Sequence, residues 1–277
     1  MFIFLVTSST FVLAVTSQPP IPKIWFIETA YRQRMDGRQA CAIESAARHN
    51  PSFQVHLLTT SDLVANDHYV RLVSKIRNFE TTLVNLSTVF RSTPLESWNG
   101  TVGFKTAKYP VEDLSDFLRY VILWQHGGVY LDLDVITLKS LRGLKNCAVH
   151  QEGTLPANGI LFFDKGHDFL LRALKTCPGV YNPNVWGTCG PPLLKHISRD
   201  GSFQGRVTFL KADSFLAVKW QDWEWFFNPN FTGLVFAMLQ NSYGAHIWNK
   251  FSKALDIGIG SGSTVDVLYR FNCPRVY

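Results

Sequence analysis

The chain has 277 residues, a formal net charge of +6, and 17% charged residues against 46% hydrophobic and 14% aromatic ones. So few charges with so many aromatics exclude a disordered chain and describe a thick, well-buried core. The positive balance suits an anionic substrate or a membrane surface, and without a lysine or arginine cluster interleaved with aromatics it does not mark a nucleic-acid binder.

Residues 2–17 are apolar or small and uncharged, and too few to span a bilayer comfortably. Val15-Thr-Ser17 followed by Gln18-Pro-Pro20 reads as a signal-peptide exit, with a short signal anchor as the alternative. Three sequons, Asn85-Leu-Ser, Asn99-Gly-Thr and Asn230-Phe-Thr, fit a secretory-pathway chain. The five cysteines (Cys41, Cys147, Cys177, Cys189, Cys273) show no Cys-x-x-Cys spacing. That argues against a zinc site, and an oxidising lumen allows two bridges and one free thiol whose pairing stays open.

Residues 21–27 are apolar and short, which predicts an opening strand. A helical pattern over 37–49 stops before the breaker Asn50-Pro51. Residues 53–58 alternate as a second strand, 61–80 hold a helix, and 81–90 a further strand or loop. Residues 111–126 form a helix that Phe117, Val121, Ile122, Leu123 and Trp124 make apolar on most of its circumference. Gly127-Gly128 ends it where a left-handed residue is wanted, and residues 129–133 read as a strand. Further strands are expected over 159–163, 207–210 and 245–248, with a helix over 167–176. The Gly/Pro-rich stretch 186–192 reads as a loop entering a helix over 193–197. This alternation predicts an α/β fold with a mostly parallel central sheet flanked by helices and a more irregular C-terminal half. In such sheets ligands sit outside the carboxyl ends of the strands.

The chemistry concentrates in Asp116-Phe-Leu-Arg-Tyr-Val-Ile-Leu-Trp-Gln-His-Gly-Gly-Val-Tyr-Leu-Asp-Leu-Asp134. Asp116 and Arg119 share a helix face. Asp132 and Asp134, two apart, point to the same side at the strand exit. Two converging carboxylates can hold magnesium or manganese together with substrate phosphates. An Asp-x-Asp alone is more often a solvated strand end, and an Asp–Arg pair at this spacing is commonly a surface ion pair. Here the helix is apolar, so the pair is buried and must be fully partnered.

The segment resembles the Asp-x-x-Arg…Gly-Gly-x-Tyr-x-Asp-x-Asp signature of glycosyltransferases that bind their sugar donor through an Asp-x-Asp motif. The chain is similar, more closely, to the alpha-1,4-glycosyltransferases, and most of its length carries the likeness. The matching stretches are Ile27-Glu-Thr29, Cys41-Ala-Ile-Glu-Ser-Ala-Ala-Arg48, Thr93-Pro-Leu95, Asn158-Gly159, Trp186-Gly187 with Gly190-Pro191, Trp220-Gln-Asp-Trp223 and His246-Ile-Trp-Asn-Lys250.

The resemblance implies a single-domain type A glycosyltransferase fold, with a nucleotide-sugar-binding half over 18–165 and the family's C-terminal half over 166–277. It implies retaining, metal-dependent transfer from UDP-galactose or a UDP-N-acetylhexosamine to a glycolipid or glycan, with Mn2+ (or Mg2+) as cofactor, in the Golgi lumen at a membrane surface. Asp132 and Asp134 would bind the cation and His246 is the candidate third ligand. Asp116 and Arg119 would grip donor hydroxyls and phosphate, or form an internal ion pair orienting the helix. Tyr130 would lie near the ribose or be a core tyrosine, and Phe26 and Thr29 would meet the uracil. Asn158 would contact the donor sugar or serve as a turn residue, and Lys250 would reach the diphosphate. The family's loop before Gly190-Pro191 usually offers a side-chain amide, where this chain has Thr188 and Cys189. That departure keeps alive a rival reading, a sugar- or lipid-binding homologue of the same fold without full turnover.

Overall fold

The computed structural model describes residues 21–96 and 106–277. The apolar run 2–17 and the Asn99 sequon lie outside the described residues. Strand β1 (Lys23–Glu28) sends Ile24 and Phe26 into one core and Trp25 and Ile27 into a second. Alternate side chains of a strand face opposite ways, and both faces are covered here. The strand therefore reads as an unbroken apolar run rather than an alternation.

Helix α1 (Gly37–His49) follows with a capping box. The Asp36 carboxylate accepts from the Arg38 and Gln39 N–H groups (3.0 and 2.9 Å), and the Gln39 side chain accepts from the Asp36 N–H. Strand β2 (Gln54–Thr59) pairs in parallel with β1. Helix α2 (His68–Val73) is much shorter than the 61–80 expected. Asp67 caps it, and in the turn before it the Asp67 N–H donates to the Val64 carbonyl while the Val64 N–H is drawn away to the Gln33 carbonyl, so no helix runs through these residues. Strand β3 (Phe79–Leu83) closes this edge of the sheet, parallel to β2.

Helix α3 (Pro110–His126) opens with proline at its start and Glu112 and Asp113 in its first turn, where the macrodipole favours carboxylates. It stops at Gly127 (φ 70°, ψ −178°), and Gly128 also has positive φ (111°). A Cβ at Gly127 would come 2.6 Å from the Lys165 backbone nitrogen, and one at Gly128 2.5 Å from the Lys23 carbonyl. The break needs glycine for both conformation and room. Strand β4 (Gly128–Leu131) then pairs in parallel with β1, in the sheet's centre.

Strands β5 (Val135–Thr137), β6 (Cys147–Glu152) and β7 (Leu155–Phe163) follow, then α4 (Asp168–Val180) and α5 (Pro191–Ser198). Strand β8 (Thr208–Leu210), α6 (Thr232–Leu239), β9 (Gly244–His246), α7 (Asn249–Ser252) and α8 (Thr264–Asn272) complete the chain. The seven-stranded sheet has the order β3-β2-β1-β4-β7-β6-β8, and β5 and β9 form a separate two-stranded ribbon. The expected α/β class with a mostly parallel sheet holds, with one reversal: β7 runs antiparallel to both β4 and β6. The tight β6–β7 turn through Gly153 (φ 53°) forces that direction and starts β7 at Leu155, earlier than the 159 expected.

Two disulfides form, Cys41–Cys273 between α1 and the end of α8 and Cys177–Cys189 between α4 and the loop before α5. Cys147 is a buried free thiol. Among the described residues no helix is long and apolar enough to cross a membrane.

Candidate active site

Asp132 and Asp134 converge through a turn rather than through the pleat of a strand. Strand β4 ends at Leu131 and β5 begins at Val135; between them the Val135 N–H donates to the Asp132 carbonyl at 3.0 Å. The turn sits beyond the carboxyl end of β4, where the topology predicts a ligand. The Asp132 N–H donates to the Gly159 carbonyl (2.9 Å), which ties the turn to β7. His246 reaches the same place by register: it is the last residue of β9 and lies opposite Val135. Its Nε2 is 3.2 Å from Asp134 Oδ1 and 3.9 Å from Asp132 Oδ2.

The three potential ligand atoms lie within 4.8 Å of one another. Two carboxylates and an imidazole are a donor set that manganese-like cations accept. The electrostatics fit as well. Burial opposes charge on His246, but Asp134 and Asp132 overcome it and push the imidazole up to about 10. Burial likewise opposes charge on Asp132, while Arg119, His246 and the Tyr130 hydroxyl hold its carboxyl well below the usual range. A proton on Nε2 and a cation compete for one negative pocket.

A second cluster abuts the first. Arg119 Nη2 is 3.2 Å from Asp116 Oδ1 and Nη1 is 3.4 Å from Asp132 Oδ1. The remaining N–H groups of the fork donate to the Ser115 carbonyl (3.1 Å), the Ser115 Oγ (2.7 Å) and the Asn158 carbonyl (2.9 Å). Every donor of the guanidinium is thus engaged by protein oxygen, so Arg119 organises both carboxylates rather than presenting a free fork. The guanidinium lies over the Tyr130 ring at 4.6 Å, and the Tyr130 hydroxyl donates to Asp132 Oδ1 at 2.7 Å. Asn158 Nδ2 donates to Asp116 Oδ1 at 2.7 Å. Burial pushes the Asp116 carboxyl up to about 6, with Arg119 drawing it back.

Both clusters open into one cavity of about 840 Å³, ample for a nucleotide sugar with part of an acceptor. Asp116, Arg119, Asp132, Asp134, Asn158, His246, Lys250 and Thr29 all line it. Phe26 does not: it lies within β1, wholly enclosed in the core, and only the end of the strand from Ile27 onward reaches the cavity. Tyr130 is also buried and does not line the cavity; it meets the lining residues Asp132, Ser115 and Arg119 from behind. Thr29 Oγ1 donates to the Val111 carbonyl (2.8 Å) and joins the end of β1 to the start of α3. Lys250 Nζ sits 3.5 Å over the ring of Trp186, and Trp220 stacks on Phe251 at 5.5 Å, which makes an aromatic rim.

The departure at Thr188-Cys189 has a structural explanation. Cys189 is bonded to Cys177, and its carbonyl accepts from the buried Tyr120 hydroxyl at 2.8 Å. The following Gly190 lies so close that a Cβ there would meet Asn158 Nδ2 at 2.8 Å and Asp116 Oδ2 at 3.0 Å. The loop is therefore part of the site wall, and the amide beside Asp116 comes from Asn158. Ser115 and Arg38 are marked by no motif. Ser115 is recoverable, since it lies one turn before Arg119. Arg38 acts through contacts across the fold, which no local pattern reveals, and Gly159, part of the Asn158-Gly159 match, gains its role from the contact with the Asp132 turn.

Residues 36–153 match the family described as "Glycosyltransferase sugar-binding region containing DXD motif". Residues 162–277 match "Alpha 1,4-glycosyltransferase conserved region". The chain is 30% identical over 277 residues to lactosylceramide 4-alpha-galactosyltransferase of Homo sapiens, covering 94% of this chain and 78% of that protein. The Mus musculus protein of the same name is 31% identical over 268 residues, with coverage of 92% and 75%. Alpha-1,4-N-acetylglucosaminyltransferase of Homo sapiens is 28% identical over 273 residues, with coverage of 92% and 79%. Matched along both halves and across nearly its whole length, this chain belongs to the alpha 1,4-glycosyltransferase family.

Proposed function

We propose that the protein transfers a hexose or N-acetylhexosamine from a UDP-sugar to a sugar hydroxyl of a glycosphingolipid, forming an alpha-1,4 linkage with retention, in the Golgi lumen. The observation that carries this reading is the meeting of Asp132, Asp134 and His246 beside the buried Asp116–Arg119–Asn158 cluster, all facing one cavity. Relatives named for galactosyl and N-acetylglucosaminyl transfer support the donor class, and the one named for lactosylceramide supports the acceptor. Two disulfides support an oxidising compartment.

Asp132, Asp134 and His246 would hold Mn2+ or Mg2+, which supplies Lewis-acid stabilisation of the departing diphosphate. Arg119 is a positioning residue that orients Asp116 and Asp132. Asp116 Oδ2, with no hydrogen bond among the described residues, accepts from a donor-sugar hydroxyl, while Asn158 fixes the carboxylate from the other oxygen. Lys250 also lines the cavity and adds positive charge for the diphosphate. Trp186 and Trp220 are partly exposed at the rim and offer ring faces to the acceptor saccharide. Asp116 is held by Arg119 and Asn158 as a binding group for the donor sugar, which favours transfer on one face with the leaving phosphate taking the acceptor proton.

The test is a donor screen with Mn2+ against lactosylceramide and other glycosylceramides, comparing wild type with Asp132→Ala and Asp134→Ala. Each variant should keep its fold and lose roughly a hundredfold or more of transfer. Full activity in either would overturn the assignment.

A further inference from the structure

Arg38 is buried at the start of α1, and its guanidinium crosses to the C-terminal segment instead of to a carboxylate. Nη1 donates to Asn249 Oδ1 (2.8 Å) and to Ser252 Oγ (2.7 Å); Nη2 donates to the carbonyls of Ser252 (2.8 Å) and Leu255 (2.6 Å). All four acceptors are neutral, and no carboxylate pairs with Arg38 among the described residues. A buried arginine is costly unless its hydrogen bonds are good, and this fork meets the segment in the bidentate manner that guanidinium favours.

The segment it grips is the one that completes the cation site. Trp248, between His246 and Asn249, has a left-handed backbone (φ 56°, ψ 54°), a conformation that a bulky residue keeps only when its surroundings hold it. Trp248 Nε1 donates to the Val218 carbonyl (2.9 Å) and its ring meets the His246 ring edge-on at 4.3 Å. This reversal turns the Asn249 N–H back onto Asp134 Oδ2 at 2.7 Å. Asn249 is therefore pinned at both ends, by Arg38 through its side chain and by Asp134 through its backbone. With Oδ2 fixed, Asp134 keeps Oδ1 toward His246. Ser252 Oγ passes the constraint on as well, accepting from Arg38 and donating to the Ile247 carbonyl (2.9 Å) next to His246.

We infer that Arg38 is a positioning residue for the cation site, setting the Asp134 carboxylate through Asn249 and anchoring the backbone that carries His246 and Lys250. This rests on the proposed cation role of Asp132, Asp134 and His246. Groups of this kind behind metal ligands are worth roughly tenfold to a hundredfold in affinity.

The experiment is calorimetric titration of the chelator-treated full chain with Mn2+ alone, for wild type, Arg38→Lys and Asn249→Ala, well below each melting temperature. Lysine keeps the charge but cannot span four acceptors, and Asn249→Ala cuts the link while leaving Arg38 its contacts to Ser252 and Leu255. Both variants should bind Mn2+ about tenfold more weakly. Both should need correspondingly more Mn2+ for half-maximal transfer, yet recover kcat to within about threefold at saturating Mn2+. A merely structural role would lower melting temperature and leave the Mn2+ dependence of the folded fraction unchanged. Wild-type Mn2+ affinity in a folded Asn249→Ala overturns the inference even where Arg38→Lys fails to fold. No Mn2+ binding by wild type would instead overturn the cation-site reading and this inference with it.

Discussion

Asn158 holds Asp116 with its side chain and Arg119 with its backbone: Nδ2 donates to Asp116 Oδ1 at 2.7 Å and the carbonyl accepts from Arg119 Nη1 at 2.9 Å. The residue thus spans the ion pair from β7, and only the side-chain bond can be removed by substitution. In Asn158→Ala, Asp116 loses its neutral donor in a buried setting, and such a loss costs about 1–3 kcal/mol. Transfer should fall by roughly tenfold to a hundredfold in kcat/KM with little change in Mn2+ affinity, as steady-state kinetics at fixed donor and varied Mn2+ would show. A fall in Mn2+ affinity equal to that in kcat/KM would place Asn158 with the cation instead.

Gly159, the next residue, leaves room for the Asp132 carboxylate. A methyl there would overlap Asp132 Oδ2, while the backbone at this position needs no glycine conformation. Gly159→Ala should therefore fold and displace Asp132. The expected result is a cooperative melt near that of wild type with at least a tenfold weaker Mn2+ response, read by thermal shift with and without Mn2+.

Protonation sets a further expectation. His246 is pushed to about 10 by its carboxylate neighbours despite burial, so the cation-free imidazole is protonated at neutral pH. A folded value above the usual 6.5 means that the pair's stabilisation is full below pH 6.5 and is lost as pH rises through about 10. A cation needs the neutral ring. Binding at pH 7.5 should then release close to one proton, measured from the heat difference in buffers of unlike ionisation enthalpy. His246→Ala should release almost none. Near-zero release by wild type would show that the ring is not displaced by the cation.

The Cys177–Cys189 bridge should bear on both stability and catalysis, since it holds the loop whose Gly190 packs on Asn158 and Asp116. Closing so short a loop is worth about 3 kcal/mol. Cys189→Ser should lower the denaturation midpoint accordingly and raise the donor KM several-fold at temperatures where the protein is fully folded. An unchanged KM would confine the bridge to stability.

The main elements were legible where local pattern and tertiary demand agree. The bounds of α1 follow from Asp36 and from the breaker after His49, and α3 stops at a glycine pair that nothing else can replace. Asp132, Asp134 and Asp116 were visible as a signature, and His246 as part of a resemblance. The reason for convergence was not: the spacing of two suggested one face of a strand, whereas a turn and the β5–β9 ribbon make the site. Strand ends look alike in sequence, so Phe26 reads as a uracil contact, although it lies in the buried core and the cavity wall begins with Ile27, Glu28 and Thr29. Arg38 was invisible because its partners lie more than 200 residues away: 211 for Asn249 and 214 for Ser252.

The register of β9 against β5 also bears on biosynthesis. His246 follows the aspartate turn by more than a hundred positions, and the staple between Cys41 and Cys273 joins positions 232 apart. A ribosome releasing this chain delivers both aspartates long before the imidazole. The pocket is accordingly unfinished in the nascent chain until the C-terminal stretch has docked and the Cys41–Cys273 bridge has formed. Maturation, rather than synthesis of the signature, sets when the enzyme begins to work.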